Sequence, residues 1–259
     1  MSYSRKKVLL TVKAYPEKSK KYGACVCTAG ITDDGQFIRL YPIPFEKFRG
    51  KNRLPKYSWI SVECEKASEY LQRKESYHVR YETIKILESL DTGPRQTWQK
   101  KTKVVNPMVS RSMEALNDLG NKDKTSLGLI KPYEIYDLII DDKGDSTPEE
   151  IEIRKEIQIT LDGEVRTDLE PIGYNFRYHF RCQDESCNGH NIMCEDWEML
   201  EAWRAWKQRY PDRDTLIKMF KKRFLEDMRE RDIHFFVGTH SRFNTWLIIG
   251  LYYPPKPSN

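Results

Sequence analysis

No apolar run in this 259-residue chain approaches the roughly 20 residues a helix needs to cross a bilayer; the longest, "TWLIIGLYYPP", reads as a terminal strand. A membrane partner is therefore not expected. The start, "MSYSRKKVLL", sets basic residues before a short apolar run, but Lys13 and "YPEKSKKYG" follow at once and no small-residue cleavage site appears, so a cytoplasmic protein is expected. Strong charge of one sign is missing too. The 44 basic and 39 acidic residues leave +5, a mild lean toward polyanions and far from a basic tail. P-loop, Gly-x-Gly-x-x-Gly, His-Glu-x-x-His and kinase signatures are all absent, which argues against a nucleoside-triphosphate engine. There is no internal repeat and no low-complexity run. Aromatics, by contrast, are plentiful: 15 Tyr, 10 Phe and 6 Trp stand beside 32% charged residues, a composition that folds and buries a core without disulfide staples.

The first third predicts short strands broken by turns. "KVLLTVKAY" has β-branched content and stops at Pro16; "ACVCTAGI", the turn Asp33-Asp34-Gly35 and "QFIRLYPIP" form a hairpin signature, because Asp-Gly supplies the positive φ of a tight turn. "KYSWISVECEKA" and "SYHVRYETIKILESL" add further strands. Even spacing of such strands predicts a small barrel or compact sandwich.

Residues 23 to 43, "GACVCTAGITDDGQFIRLYPI", resemble the opening hairpin of the dual OB-fold domains of bacterial conflict and genome-defence proteins. The matching positions are Cys27, Ala29, Gly30, Ile31, Gly35, Ile38 and Arg39; Leu40 and Tyr41 depart from the pattern by intervening before Pro42. The resemblance implies an oligonucleotide-binding-type barrel and a nucleic-acid role.

Residues 91–128 read as a basic connector, "TGPRQTWQKKTKVVNPM", followed by one short helix with Met113 and Leu116 on a face. Beyond it, "LGLIKPYEIYDLIIDD", "EEIEIRKEIQITL" and "YNFRYHFRC" predict strands, and "EDWEMLEAWRAWKQRY" and "DRDTLIKMFKKRFLEDMRERD" predict two helices. "IHFFVGTH" and "TWLIIGLYYPP" predict a closing hairpin. The expected architecture is α+β: residues 1–90 an OB-like β-barrel region, 91–128 the connector, and 129–259 a second β unit carrying a Cys/His knuckle, two helices and the hairpin.

Three of the six cysteines fall in "FRCQDESCNGHNIMCEDWEM". Cys182, Cys187, His190 and Cys194, spaced C-x4-C-x2-H-x3-C, could supply the four thiolate and imidazole ligands of a structural zinc, with Gly189 providing the backbone turn. His179 is the rival fourth ligand, but strand alternation turns it away from Cys182. The double C-x2-C pattern is lacking, so core thiols remain the alternative. Cys25, Cys27 and Cys64 read as core thiols.

Basic and aromatic residues interleave twice, in "FIRLYPIPFEKFRGKNR" and "NFRYHFR". Arg39, Arg49, Lys51, Arg53, Arg177 and Arg181 are the candidate phosphate contacts, and the Arg177-His179-Arg181 row is expected to face outward while Phe176, Tyr178 and Phe180 face the core. The leading expectation is binding of DNA or RNA in a bacterial defence setting. A second is an enzyme acting on a nucleotide or nucleobase through Asp196, Glu198 or His240; Asp196 as a helix N-cap and Glu198 as a first-turn acid are the simpler reading of that pair. A third is a protein-binding adaptor.

Overall fold

The computed structural model describes residues 2–13, 17–19, 23–25, 28–44, 48, 54–67, 73–90, 96–142, 172–239 and 245–257. Arg49, Lys51, Arg53, Cys27, His240 and the expected strand "EEIEIRKEIQITL" lie outside the described residues. Within them the protein is a mixed α+β structure.

Strand β1 (Ser4–Lys13) is followed by a small antiparallel ladder of β2 (Glu17–Ser19) with β3 (Gly23–Cys25). β4 (Thr28–Thr32), β5 (Phe37–Tyr41), β6 (Ser58–Lys66) and β7 (Ser76–Ser89) then close with β1 into a barrel of order β1-β4-β5-β7-β6. β5 and β7 run parallel; the other neighbours are antiparallel. Period-two patterning decides which side chains fill it. Val8, Leu10, Ile38, Leu40, Ile60, Val62, Cys64 and Val79 point inward. The alternate set on β1 and β4, including Leu9, Ala29 and Ile31, instead packs on Leu129, Phe236, Ile249 and Tyr252 from the second half of the chain. The barrel therefore shares a core with the C-terminal half.

Helix α1 (Gln96–Val105) occupies the stretch whose basic composition predicts a connector. What the composition hides is burial: Val105 is inside, and so is Lys101, whose ammonium lies 4.4 Å from the Tyr57 ring centroid and 4.8 Å from that of Trp98. β8 (Val109–Ser110) leads to α2 (Met113–Asp123), which the Ser112 hydroxyl caps by accepting the Ala115 N–H at 3.2 Å. β9 (Leu127–Ile130) and β10 (Glu134–Asp142) come from the apolar stretch "LGLIKPYEIYDLII", yet they join different sheets, with Pro132 between them.

β11 (Tyr174–Arg181) and β12 (His190–Met193) complete a three-stranded antiparallel sheet with β10. Helices α3 (Trp197–Arg209) and α4 (Arg213–Lys221) are capped by Asp196 and Asp212, whose carboxylates accept the Met199 and Thr215 N–H groups at 2.9 and 2.8 Å. α4 runs on through a π-helical turn, Lys222–Glu226, into the single turn α5 (Asp227–Arg229). The Phe224 carbonyl inside the π turn accepts the buried Tyr178 hydroxyl at 2.6 Å. Trp203, Phe220 and Phe224 pack on Phe176, Tyr178 and Phe180, so the core-facing aromatics of β11 are those that alternation predicts. β13 (His234–Thr239) and β14 (Trp246–Tyr252) close the chain in a sheet ordered β14-β13-β9-β8.

Candidate metal centre and cationic surfaces

Four potential ligand atoms, from Glu114, Cys182, Cys187 and His190, lie within 4.8 Å of one another. Each is placed by a local device. Cys182 comes directly after β11. The loop beyond it folds around Asp184, which accepts the Ser186 N–H at 3.1 Å and hydroxyl at 2.7 Å, pairs with Arg111 at 3.0 Å, and offers its carbonyl to the Cys187 N–H at 3.0 Å. Gly189 then turns the chain at φ +91°, a conformation side chains resist. His190 opens β12 opposite Phe180, with the two rings 5.3 Å apart.

His190 Nε2 is the focus: Cys187 Sγ and Glu114 Oε1 both approach it at 3.2 Å. The Cys182 N–H donates to Cys187 Sγ, also at 3.2 Å, which fixes the sulfur beside the imidazole. Burial, assisted by the charges of Cys187 and Glu114, pushes the Cys182 thiol up to about 12, against the opposing pull of the Met113 backbone N–H. Burial also lowers the His190 pKa, opposed by Glu114, so the imidazole is held neutral with a lone pair to offer. Glu114 Oε2 is buried and has no hydrogen-bond partner among the described residues. Such a pocket of sulfur, nitrogen and oxygen donors can hold a metal ion.

Cys194 is not part of this group, and the expectation that it is the fourth ligand is corrected. In an extended strand four residues span roughly 13 Å, and β12 carries Cys194 away from His190 into the main core, where it bridges Ile248 and burial raises its thiol well above the ordinary range. Glu114 takes its place. It comes from the first turn of α2, far upstream, and nothing in the cysteine cluster's spacing points to it.

The remaining candidates separate by burial and pairing. Arg39 is buried, with Nη2 3.2 Å from the Ser126 carbonyl, and so cannot present its charge to a phosphate. Arg177 and Arg181 do face outward, but Arg177 is paired with Asp141, and Arg181 with Glu134 at 3.3 Å. The row is neutralised, not free. Lys221 and Lys222 are likewise paired, with Asp137 at 2.8 Å and Asp227 at 3.1 Å. Asp196 and Glu198 share one cation: Lys56 Nζ lies 3.3 Å from the first and 3.2 Å from the second. Burial alone would lower the Lys56 pKa, but the two carboxylates outweigh it and keep the ammonium charged. Asp196 also accepts the Met199 and Leu251 N–H groups, so it caps the helix as the simpler reading expects.

Other cations stand over aromatic rings on the barrel, on the two faces of β1. Lys7 Nζ lies 4.9 Å from the Trp59 ring centroid, and Lys6 and Lys66 lie over Tyr77 at 5.3 and 4.8 Å. None of the three has a carboxylate within ion-pair distance among the described residues. Burial, then the charges of Lys6 and Lys74, lowers the Lys66 pKa against the opposing effect of Glu75.

No helix among the described residues is long and apolar enough to cross a membrane. No curated protein matches the chain. Residues 4–107, which include the barrel and α1, match the family model of a domain of unknown function (DUF8758). Residues 109–259, with the metal-ligand cluster and helices α2 to α5, match a second, also a domain of unknown function (DUF8757). As that match spans more than half of its 259 residues, the chain belongs to the DUF8757 family.

Proposed function

We propose that the protein binds nucleic acid through its barrel and that a structural zinc ion holds the second unit in shape. The observation that carries the first part is the pair Lys6 and Lys66, both set over Tyr77, with Lys7 over Trp59 on the other face of β1, none of them within ion-pair distance of a carboxylate among the described residues. Single strands are bound by a cationic track beside aromatic faces, because every linkage is an anion and every base a π surface. The barrel's strand order adds support: β6 lies between β7 and β1, as in the five-stranded Greek-key barrels that bind oligonucleotides. This agrees with the resemblance of residues 23 to 43 to bacterial defence-associated OB-fold domains and favours a role of that kind.

Zinc is the ion that the donor set suits. Two thiolates and an imidazole are borderline-soft ligands that calcium and magnesium do not choose, and a carboxylate completes a tetrahedron readily. Ligands about 2.0–2.3 Å from a zinc lie roughly 3.3–3.8 Å apart, close to the 3.2 Å approaches of Cys187 and Glu114 to His190. With all four positions taken by protein, the ion would tie α2 to the β11–β12 loop and have no site for a reacting water.

The test is a fluorescence-anisotropy titration of labelled single- and double-stranded oligonucleotides. Replacing Lys6, Lys7 and Lys66 together by Glu is expected to abolish binding while the melting temperature holds. Undiminished affinity in that variant would refute the barrel surface as the site.

A further inference from the structure

The outer face of the β10–β11–β12 sheet carries the most exposed aromatic side chain among the described large hydrophobics, Tyr133 at 61%, with Tyr136 at 41% nearby. Ile135 and Leu138 both face the core although they stand three apart, which plain alternation forbids. The strand solves this with a bulge: Ile135 pairs with Phe180 and Asp137 with His179, leaving Tyr136 as the extra residue. Arg229 fixes the bulge from α5. Its Nε and Nη2 donate to the Ile135 carbonyl at 3.0 and 2.7 Å, and Nη2 also to the Tyr136 carbonyl at 2.7 Å. Tyr136 is thereby turned out onto the exposed His179 ring, centroids 4.9 Å apart.

Tyr133 is held in a second such unit. Its N–H donates to the Arg181 carbonyl at 2.9 Å, and the Arg181 guanidinium lies 4.5 Å from its ring centroid, with Glu134 pairing the same arginine. Beside Tyr133 opens a cleft of about 810 Å³ lined by Arg231 and Lys256 together with Arg229, which holds the bulge, and Lys131, which pairs with Asp232 at 2.6 Å. Flat rings and a guanidinium plane on a rigid sheet, next to a cationic cleft, match the chemistry of one ligand class: unpaired bases on an anionic backbone.

We infer that this sheet face is a second nucleic-acid contact, specific for single strands, in which Tyr136 with His179 and Tyr133 with Arg181 each stack an unpaired base while the cleft takes the adjoining phosphates. The inference rests on the nucleic-acid reading proposed above and adds to it the selectivity for unpaired bases. A duplex, with its bases stacked on one another, has only its backbone to offer here. Arg181 thus serves the site as a plane and not as a charge, consistent with its pairing to Glu134.

The experiment measures affinity of the whole protein for three probes: labelled oligothymidylate, an abasic strand of equal length, and a duplex. The double substitution Tyr133→Ala with Tyr136→Ala is expected to weaken oligothymidylate roughly 10- to 100-fold, as loss of one or two base stacks would, and to leave abasic and duplex binding unchanged. Tyr133→Phe with Tyr136→Phe is expected to retain wild-type affinity. Wild-type binding of oligothymidylate by the alanine variant, or an equal loss on all three probes, overturns the inference while the barrel reading stands. Failure of the wild-type protein to bind any probe overturns the nucleic-acid reading itself.

Discussion

Asp196 holds three donors at once: the Met199 N–H that opens α3, the Leu251 N–H of β14 and the Lys56 ammonium from the barrel side. Removing it leaves a buried lysine with only Glu198, which is 54% exposed and so weakened by solvent. Asp196→Ala is expected to cost about 3 kcal/mol, the lower end for breaking a buried pair together with a cap, measured by urea denaturation; a loss under about 1 kcal/mol would show that the cap alone matters. At the metal centre, Cys187→Ser and Glu114→Ala are each expected to lower the zinc bound per chain by elemental analysis. Cys194→Ser is expected to leave zinc unchanged while destabilising the core, and loss of zinc in that variant would restore it as a ligand. Three of the four candidate ligands were legible in one short stretch, since Cys182, Cys187 and His190 share a loop whose Gly189 turn the spacing foretells. Glu114 was not, because a contact between a loop and a distant helix leaves no local pattern.

At the scale of elements, legibility tracks burial. β6 and β11 carry alternation that sets which face is inside, β1 and β4 are covered on both faces and read as strands from their unbroken runs, and α3 and α4 carry both helical spacing and an Asp cap. α1 was hidden because Lys100, Lys101 and Lys103 read as solvated, whereas Lys101 lies against Tyr57 and Trp98. The stretch through Pro132 reads as one apolar strand and belongs to two sheets, and the bulge at Tyr136 depends on the tertiary position of Arg229. α2 sits on β9 so closely that a methyl group at Gly128 would meet the Leu116 side chain. Gly128→Ala should therefore displace the helix that carries Glu114, weakening zinc affinity without touching a ligand. Competition against a chromophoric chelator would read the change, and unaltered affinity would mean that Leu116 gives way instead. Gly189→Ala acts on the other wall of the site: at φ +91° a side chain costs about 1–2 kcal/mol, expected as a lower melting temperature.

For the whole molecule, the barrel and the DUF8757 region are joined by more than sequence. Leu9 and Ile31 of the barrel share a core with Phe236 and Ile249, Glu75 accepts the Ser126 N–H at 3.0 and 3.1 Å, and Lys56 reaches the cap of α3. Lys74, beside the Lys66 cluster, pairs with Asp123 at the far end of the helix whose first turn presents Glu114. The barrel lysines, the Tyr133–Tyr136 face and the candidate metal-ligand cluster are thus parts of one packed body. The central claim is that this body binds a polyanion through lysines that lack acidic partners. The affinity of the wild-type protein for an oligonucleotide, measured across a salt series, tests it most directly. Logarithmic affinity is expected to fall linearly with logarithmic salt, with a slope that shrinks by roughly 0.7 for each of Lys6, Lys7 and Lys66 removed; a flat response, or a slope indifferent to those three residues, would contradict the account.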